Sequence, residues 1–236
     1  MKKIVLSLLA FSLLGCAEMQ QVLDQLPQGT GILSQAEIGS GLKEALNNGI
    51  TKQVSKLTAT DGFYKNQAVK ILLPEELQTV DKKLRQIGLS SLADEGLKVI
   101  NRAAEDAVKE ATPIFVDAVK QMTFTDAKNI LLGNESSATS YLQNTTSTAL
   151  YSKFNPVIKN SYTKVGADKV WSQIITKYNS IPFVTKVNPD LTDYTTTKAM
   201  EGVFKMVAVE EKNIRTNLAS RSSDLLKKVF ALQDKK

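Results

Sequence analysis

Residues 34–57 read SQAEIGSGLKEALNNGITKQVSKL, and the spacing inside this stretch decides the fold. Ile38, Leu42, Leu46, Ile50, Val54 and Leu57 recur every three or four residues, the period that lines one face of an α-helix. Ser34 and Glu37 have capping-box spacing, in which a hydroxyl and a carboxylate each satisfy an amide left open at a helix start. An amphipathic helix must bury its apolar face, so the rest of the chain is read for partners of the same kind.

Towards the carboxyl end the pattern repeats. Pro74 stands at a favourable first helical position, Leu77, Val80, Leu84 and Ile87 share one face, and Gly88 is a stop signal. Ser91 is the expected cap of the next helix, where Leu92, Val99, Ile100, Ala103, Ala107 and Ala111 form a narrow stripe. Alanines at these positions imply close approach of a second helix. Pro113 opens PIFVDAVKQM, Thr125 is the expected cap of DAKNILLG, and Gly133 ends it.

Residues 136–152 contain nine Ser or Thr, yet Ala138, Tyr141, Leu142, Thr145, Ala149 and Leu150 keep a helical period, with a break expected at Pro156. The segment GADKVWSQIITKY groups Val170, Trp171, Ile174, Ile175 and Tyr178, and a loop with Pro182 and Pro189 follows. Asp190 caps a long helix towards Asn217, and Ser222 or Ser223 caps DLLKKVF. Strand-like alternation never persists. The expected fold is an all-α, compact bundle of eight to ten helices with no sheet, a single domain over residues 34–236.

Ahead of this domain the composition changes. Lys2 and Lys3 precede the apolar run IVLSLLAFSLL at 4–14, and Gly15 and Cys16 follow. This is the layout of a secretory signal. The run is much shorter than the roughly 20 residues a transmembrane helix needs. Residues 1–15 therefore read as a signal peptide, and residues 16–33, with Pro27, Gly29 and Gly31 among glutamines, as a flexible tether. The tetrad Leu13-Leu14-Gly15-Cys16 resembles the lipobox of bacterial lipoproteins. That resemblance implies that the Cys16 thiol becomes a thioether to diacylglycerol and that the Gly15–Cys16 bond is then cut. Two or three acyl chains, at about 0.8 kcal/mol per buried CH₂, suffice for stable membrane attachment. The expected address is the bacterial cell envelope, on the periplasm-facing outer membrane.

Cys16 is the only cysteine of the 236 residues, and histidine is absent. An internal disulfide is thereby excluded, as are the common His and Cys ligands of zinc and copper and the Ser–His and Cys–His nucleophile pairs. No metal site and no cofactor is expected. Losing residues 1–15 removes two lysines and no acid, which lowers the formal net charge from +6 to +4. This mild excess is scattered, with no run of more than two basic residues, so a nucleic-acid partner is not expected.

Three longer phrases, LLPEELQTVDKKLRQIGL, INRAAEDAVKEATPIFVDAVKQMTFTDAKNILLGNESSATSYL and EEKNIRTNLASRSSDLLKKVF, resemble an uncharacterised family of bacterial envelope proteins, catalogued as domain of unknown function 4197. The likeness covers about residues 34 to 233. It implies a helical domain in the envelope and carries no family mechanism.

Several motifs remain to be weighed. Ser40 with Lys43 and Ser161 with Lys164 have the Ser-x-x-Lys spacing of penicillin-binding enzymes, but the companion elements and the sheet of that site are missing from the pattern. Glu211 falls inside the apolar arc of Met200, Val203, Phe204, Val207, Ile214 and Leu218, with Arg215 four residues on. A carboxylate there needs a partner, so Glu211 and Arg215 form a candidate buried ion pair. Arg102 and Asp106 read as a surface pair. Three functions follow: a lipid-anchored, non-enzymatic binding or scaffolding module for an envelope protein; a carrier of a hydrophobic ligand or lipid, with PIFVDAVKQM and the Trp171 cluster lining a cavity; and a hydrolase using only carboxylates, with Glu211, Asp126 or Asp193 as candidates. The first takes the fewest assumptions, and no catalytic residue is assigned.

Overall fold

The computed structural model describes residues 33–234, apart from residues 87, 89, 165, 181, 184 and 189. Among them are nine α-helices and no strand: α1 Gln35–Thr58, α2 Glu75–Gln86, α3 Ser90–Val108, α4 Ala111–Gln121, α5 Phe124–Leu131, α6 Ser137–Lys164, α7 Ala167–Asn179, α8 Thr192–Thr216 and α9 Asp224–Phe230. A 3-10 turn, Leu218–Ser220, precedes α9. The long α6 and α8 pack along each other, α3 crosses both, and α1 lies against α8, α4, α5 and α9. The small α2 rests on α3, and α7 on α6.

Local chemistry sets the helix ends. At the start of α1 the Glu37 carboxylate accepts the Ser34 N–H at 2.7 Å while the Ser34 hydroxyl accepts the Glu37 N–H at 3.2 Å. Ile38, Leu42, Leu46, Ile50, Val54 and Leu57 are all buried. Gly88, with φ +82°, follows α2 in the left-handed region that glycine reaches without a Cβ clash. The cap of α5 is Thr123 rather than Thr125, because only Thr123 has an acid three residues on: Asp126 closes the reciprocal pair. Helix α3 begins at Ser90, one residue ahead of the expected Ser91 cap, and it ends at Val108, so Ala111 starts α4. The expected final cap is Ser223, whose hydroxyl accepts the Leu226 N–H.

The expected break at Pro156 does not occur. Helix α6 runs through it to Lys164. A proline inside a helix costs about 3 kcal/mol through its missing N–H and its ring. Here Pro156 and Ser152 are both exposed, so the carbonyl that loses its amide partner faces water. The opposite face buries Leu150, Phe154, Ile158 and Tyr162, and that packing outweighs the local cost. The many hydroxyls of this helix fit for a second reason. Thr145, Thr146, Ser147 and Ser152 each donate to a carbonyl four residues back, satisfying the hydroxyl without leaving the helix.

One core joins these elements. Phe115 from α4 meets Phe204 from α8 edge to face, with centroids 5.9 Å apart. Gly202 on α8 permits a close crossing of the Phe63 segment: a Cβ there would stand 2.7 Å from Phe63 Cε1. Phe115 and Val119, proposed from the sequence as cavity lining, are fully buried core residues. Trp171 and Ile175 are buried, while the side chains of Val170, Ile174 and Tyr178 lie outside the described residues. No described helix is long and apolar enough to cross a membrane.

Candidate functional site

The buried charged residues Glu210, Glu211, Arg215 and Arg221 gather on α8 and just beyond its end. Glu211 and Arg215 are 8% and 6% exposed, and their side chains meet at 2.8 Å. The Glu211 carboxylate also accepts the backbone N–H groups of Ala138 and Thr139 and the Thr139 hydroxyl, at 2.8 to 2.9 Å. These are first-turn amides of α6, which carry no partner within their own helix. Arg215 reaches the other way, donating to the Ile130 and Leu131 carbonyls at 2.7 and 3.2 Å and to Gln233 at 2.7 Å. Leu131 ends α5. Negative charge thus sits at a helix start and positive charge at a helix end, both favourable to the helix dipoles.

Two neighbours extend the set. Glu210 accepts from Lys52 and Gln53 of α1 at 2.6 and 2.5 Å, tying α8 to α1. Arg221 donates to the Ile214 and Arg215 carbonyls at the end of α8, pairs with Asp234, and lies over the Phe230 ring. Every charged group here serves a helix end or a crossing.

A second buried polar set lies on α3, and the sequence reading missed it. The Asn101 side chain is fully buried and pairs with both the N–H and the carbonyl of Ile71, at 2.8 and 2.9 Å, as a neighbouring strand would. One turn on, Glu105 accepts the Phe63 and Tyr64 N–H groups and pairs with Arg102. Arg102 also pairs with Asp61. The expected Arg102–Asp106 surface pair is not the one that forms, since Asp106 pairs with Lys109. Asn101 and Glu105 were visible as polar residues four apart among Ile100, Ala104 and Val108, a signal that a polar pair faces the core.

The other sequence candidates stay apart. Asp126 is held by the Thr123 cap, which keeps its carboxyl below the ordinary range, and Asp193 accepts from the Tyr151 hydroxyl. Ser40 is exposed, and its neighbour Lys43 donates to the Lys120 carbonyl instead. Ser161 and Lys164 lie in the last turn of α6. Among the described residues, no group of three or more acids could hold a metal ion. Gly15 and Cys16 lie outside the described residues.

Two open grooves mark the described surface. One, about 500 Å³, lies between the end of α6, α7 and the start of α8, bordered by Lys159, Tyr162, Asp168, Lys169, Trp171 and Asp190. The other, about 610 Å³, runs along residues 68–75 against Tyr194, Lys198 and Lys205 of α8. The gap inside the bundle beside Glu211 and Arg215 is only about 30 Å³.

These features define an all-helical, single-core domain whose buried charges hold helix ends and whose surface offers grooves. The chain belongs to the family described as Protein of unknown function (DUF4197), which it matches over residues 32–231. No curated protein and no solved structure matches it.

Proposed function

We propose that the protein is a lipid-anchored module of the bacterial envelope, attached through Cys16 after cleavage of the Gly15–Cys16 bond, whose helical domain binds a partner without transforming it. The observation that carries this reading is the placement of the sole cysteine directly after a basic and apolar leader, at the end of Leu13-Leu14-Gly15. The buried carboxylates Glu105, Glu210 and Glu211 support the binding half, because each is committed to backbone amides or a cation. A carrier of a hydrophobic ligand calls for an apolar cavity of about 300 Å³ or more, and the internal gap has room for little more than one water.

Mass spectrometry of the amino-terminal peptide from membranes of the native host tests the anchor. The wild-type chain is expected to begin at Cys16 and to carry a diacylglyceryl increment, and Cys16→Ser to lose both. A mature chain that starts elsewhere or bears no acyl group refutes it.

A further inference from the structure

Helix α7 rests on α6, and of its described side chains only Trp171 and Ile175 are buried. The indole carries the helix across to α3. It lies on Gly96, where a Cβ would stand 2.6 Å from Trp171 Cζ2 and 3.3 Å from Cε2, and the three nearest atoms all belong to the ring. A glycine inside a helix is unfavourable, so its place in the middle of α3 is matched to the indole that it admits. The ends of α7 mark it off from its neighbours. Gly166, with φ +67°, stands between α6 and α7 in the left-handed region, and a Cβ there would meet nothing within 4 Å. At the far end the Asn179 side chain accepts the Val187 N–H at 2.8 Å and donates to the Val187 carbonyl at 2.7 Å, which ties the chain beyond the helix to α7 itself.

We infer that α7 is a hinged flap, latched by Trp171 on Gly96, that turns about Gly166 and opens as a unit while the rest of the core stays folded. Opening of this kind needs less free energy than global unfolding when the segment brings few apolar side chains to the core. Phe154, Ile158 and Tyr162 of α6, Phe115 of α4 and Phe204 of α8 are buried in the shared core, whereas α7 adds Trp171 and Ile175 at its edge. The helix also forms one wall of the groove of about 500 Å³ that it shares with the end of α6 and the start of α8. Its movement therefore sets the width of that groove and uncovers the two apolar side chains that the closed state hides.

Trp171 is the only tryptophan of the chain, so its emission reads α7 alone. Native-state hydrogen exchange of the mature chain carrying Cys16→Ser, together with indole emission and acrylamide quenching, tests the flap in that chain and in its Gly96→Ala and Trp171→Leu variants. Without either further change, amides of residues 172–179 should exchange at least about tenfold faster than those of residues 203–211 on α8, and with little dependence on urea. Gly96→Ala drives a methyl against the ring. It should speed exchange at 172–179 by about a further tenfold, the scale of a modest overpacking, and it should shift the emission to the red and raise quenching. Residues 203–211 should keep their rate or slow slightly, because alanine favours α3. Trp171→Leu should give the same change in exchange, confined to α7. Equal rates in the two segments of the parent chain, a rise in both segments alike in Gly96→Ala, or an unchanged emission in that variant overturns the inference. Failure of either variant to fold also overturns it, since α7 would then belong to the cooperative core. The protein measured has no lipid, so the outcome is independent of whether Cys16 is acylated in the cell.

Discussion

Glu211 and Arg215 stand one turn apart on α8, and each closes the end of a different helix: the carboxylate takes the first-turn amides of α6, and the guanidinium takes the last carbonyls of α5. The pair therefore fixes the turn at residues 132–136 from inside the bundle. Removing one member strands the other charge away from water, which costs about 3–5 kcal/mol when a buried pair is broken. Arg215→Met is expected to lose that amount in urea unfolding. Glu211→Gln combined with Arg215→Met should lose less than the two single losses added, because no unpaired charge remains. Additive losses would show that the two side chains act separately.

Asn101 carries the equivalent role for residues 59–74, which have no secondary structure of their own to satisfy Ile71. Asn101→Leu leaves a buried N–H and a buried carbonyl without partners, each worth about 1–3 kcal/mol. The expected result is lower stability together with faster hydrogen exchange at the Ile71 amide and proteolytic cutting near residues 66–74. Loss of stability with unchanged protection at Ile71 would assign Asn101 a different role.

Much of this architecture was legible because helix caps and apolar periods are local. The Ser34–Glu37 box and the α1 stripe depend on residues within one or two turns, and the spacing of Glu211 and Arg215 within the α8 arc gave a specific geometric expectation. What failed depended on distant surfaces. Pro156 looks like a break until Leu150, Phe154, Ile158 and Tyr162 are seen buried on the far side of the same helix. Arg102 was matched to Asp106 by spacing alone, whereas it pairs with Glu105, three residues on along α3, and with Asp61, which the turn after α1 brings to it. The grooves were invisible for the same reason, since their walls come from separate elements.

Acid stability should depend on Asp234. The hydrogen bond from Arg221, followed by its charge, holds the Asp234 carboxyl below the ordinary value. A folded pKa below the unfolded one, near 3.9, adds stability above pH of about 4 and loses it as pH falls through the folded value. Asp234→Asn should flatten the fall in stability below about pH 4 and leave the neutral-to-pH-5 slope unchanged. The effect is modest because the side chain is 38% exposed, although its partner Arg221 is buried. Thermal melts from neutral pH down to about 2 read this out, and an identical acid slope in the variant would assign the dependence to other carboxylates.

Gly39 and Gly202 are both helical, and the same substitution should act on them with opposite sign. Replacing glycine by alanine inside a helix gains up to about 1 kcal/mol of propensity. At Gly39 nothing lies within 4 Å of the added methyl, so Gly39→Ala should stabilise by up to about 1 kcal/mol. At Gly202 the methyl would sit 2.7 Å from Phe63 Cε1 and 3.4 Å from Val69 Cβ, and Phe63 is fully buried with no room to withdraw. Overpacking costs about 1–3 kcal/mol, which exceeds the propensity gain, so Gly202→Ala should be destabilising. Phe63→Leu in the same chain removes the ring edge and should relieve part of the clash, which makes the pair non-additive. Urea midpoints of the three variants and of the double variant decide it: a stabilised Gly202→Ala would show that α8 and the Phe63 segment do not cross at this distance.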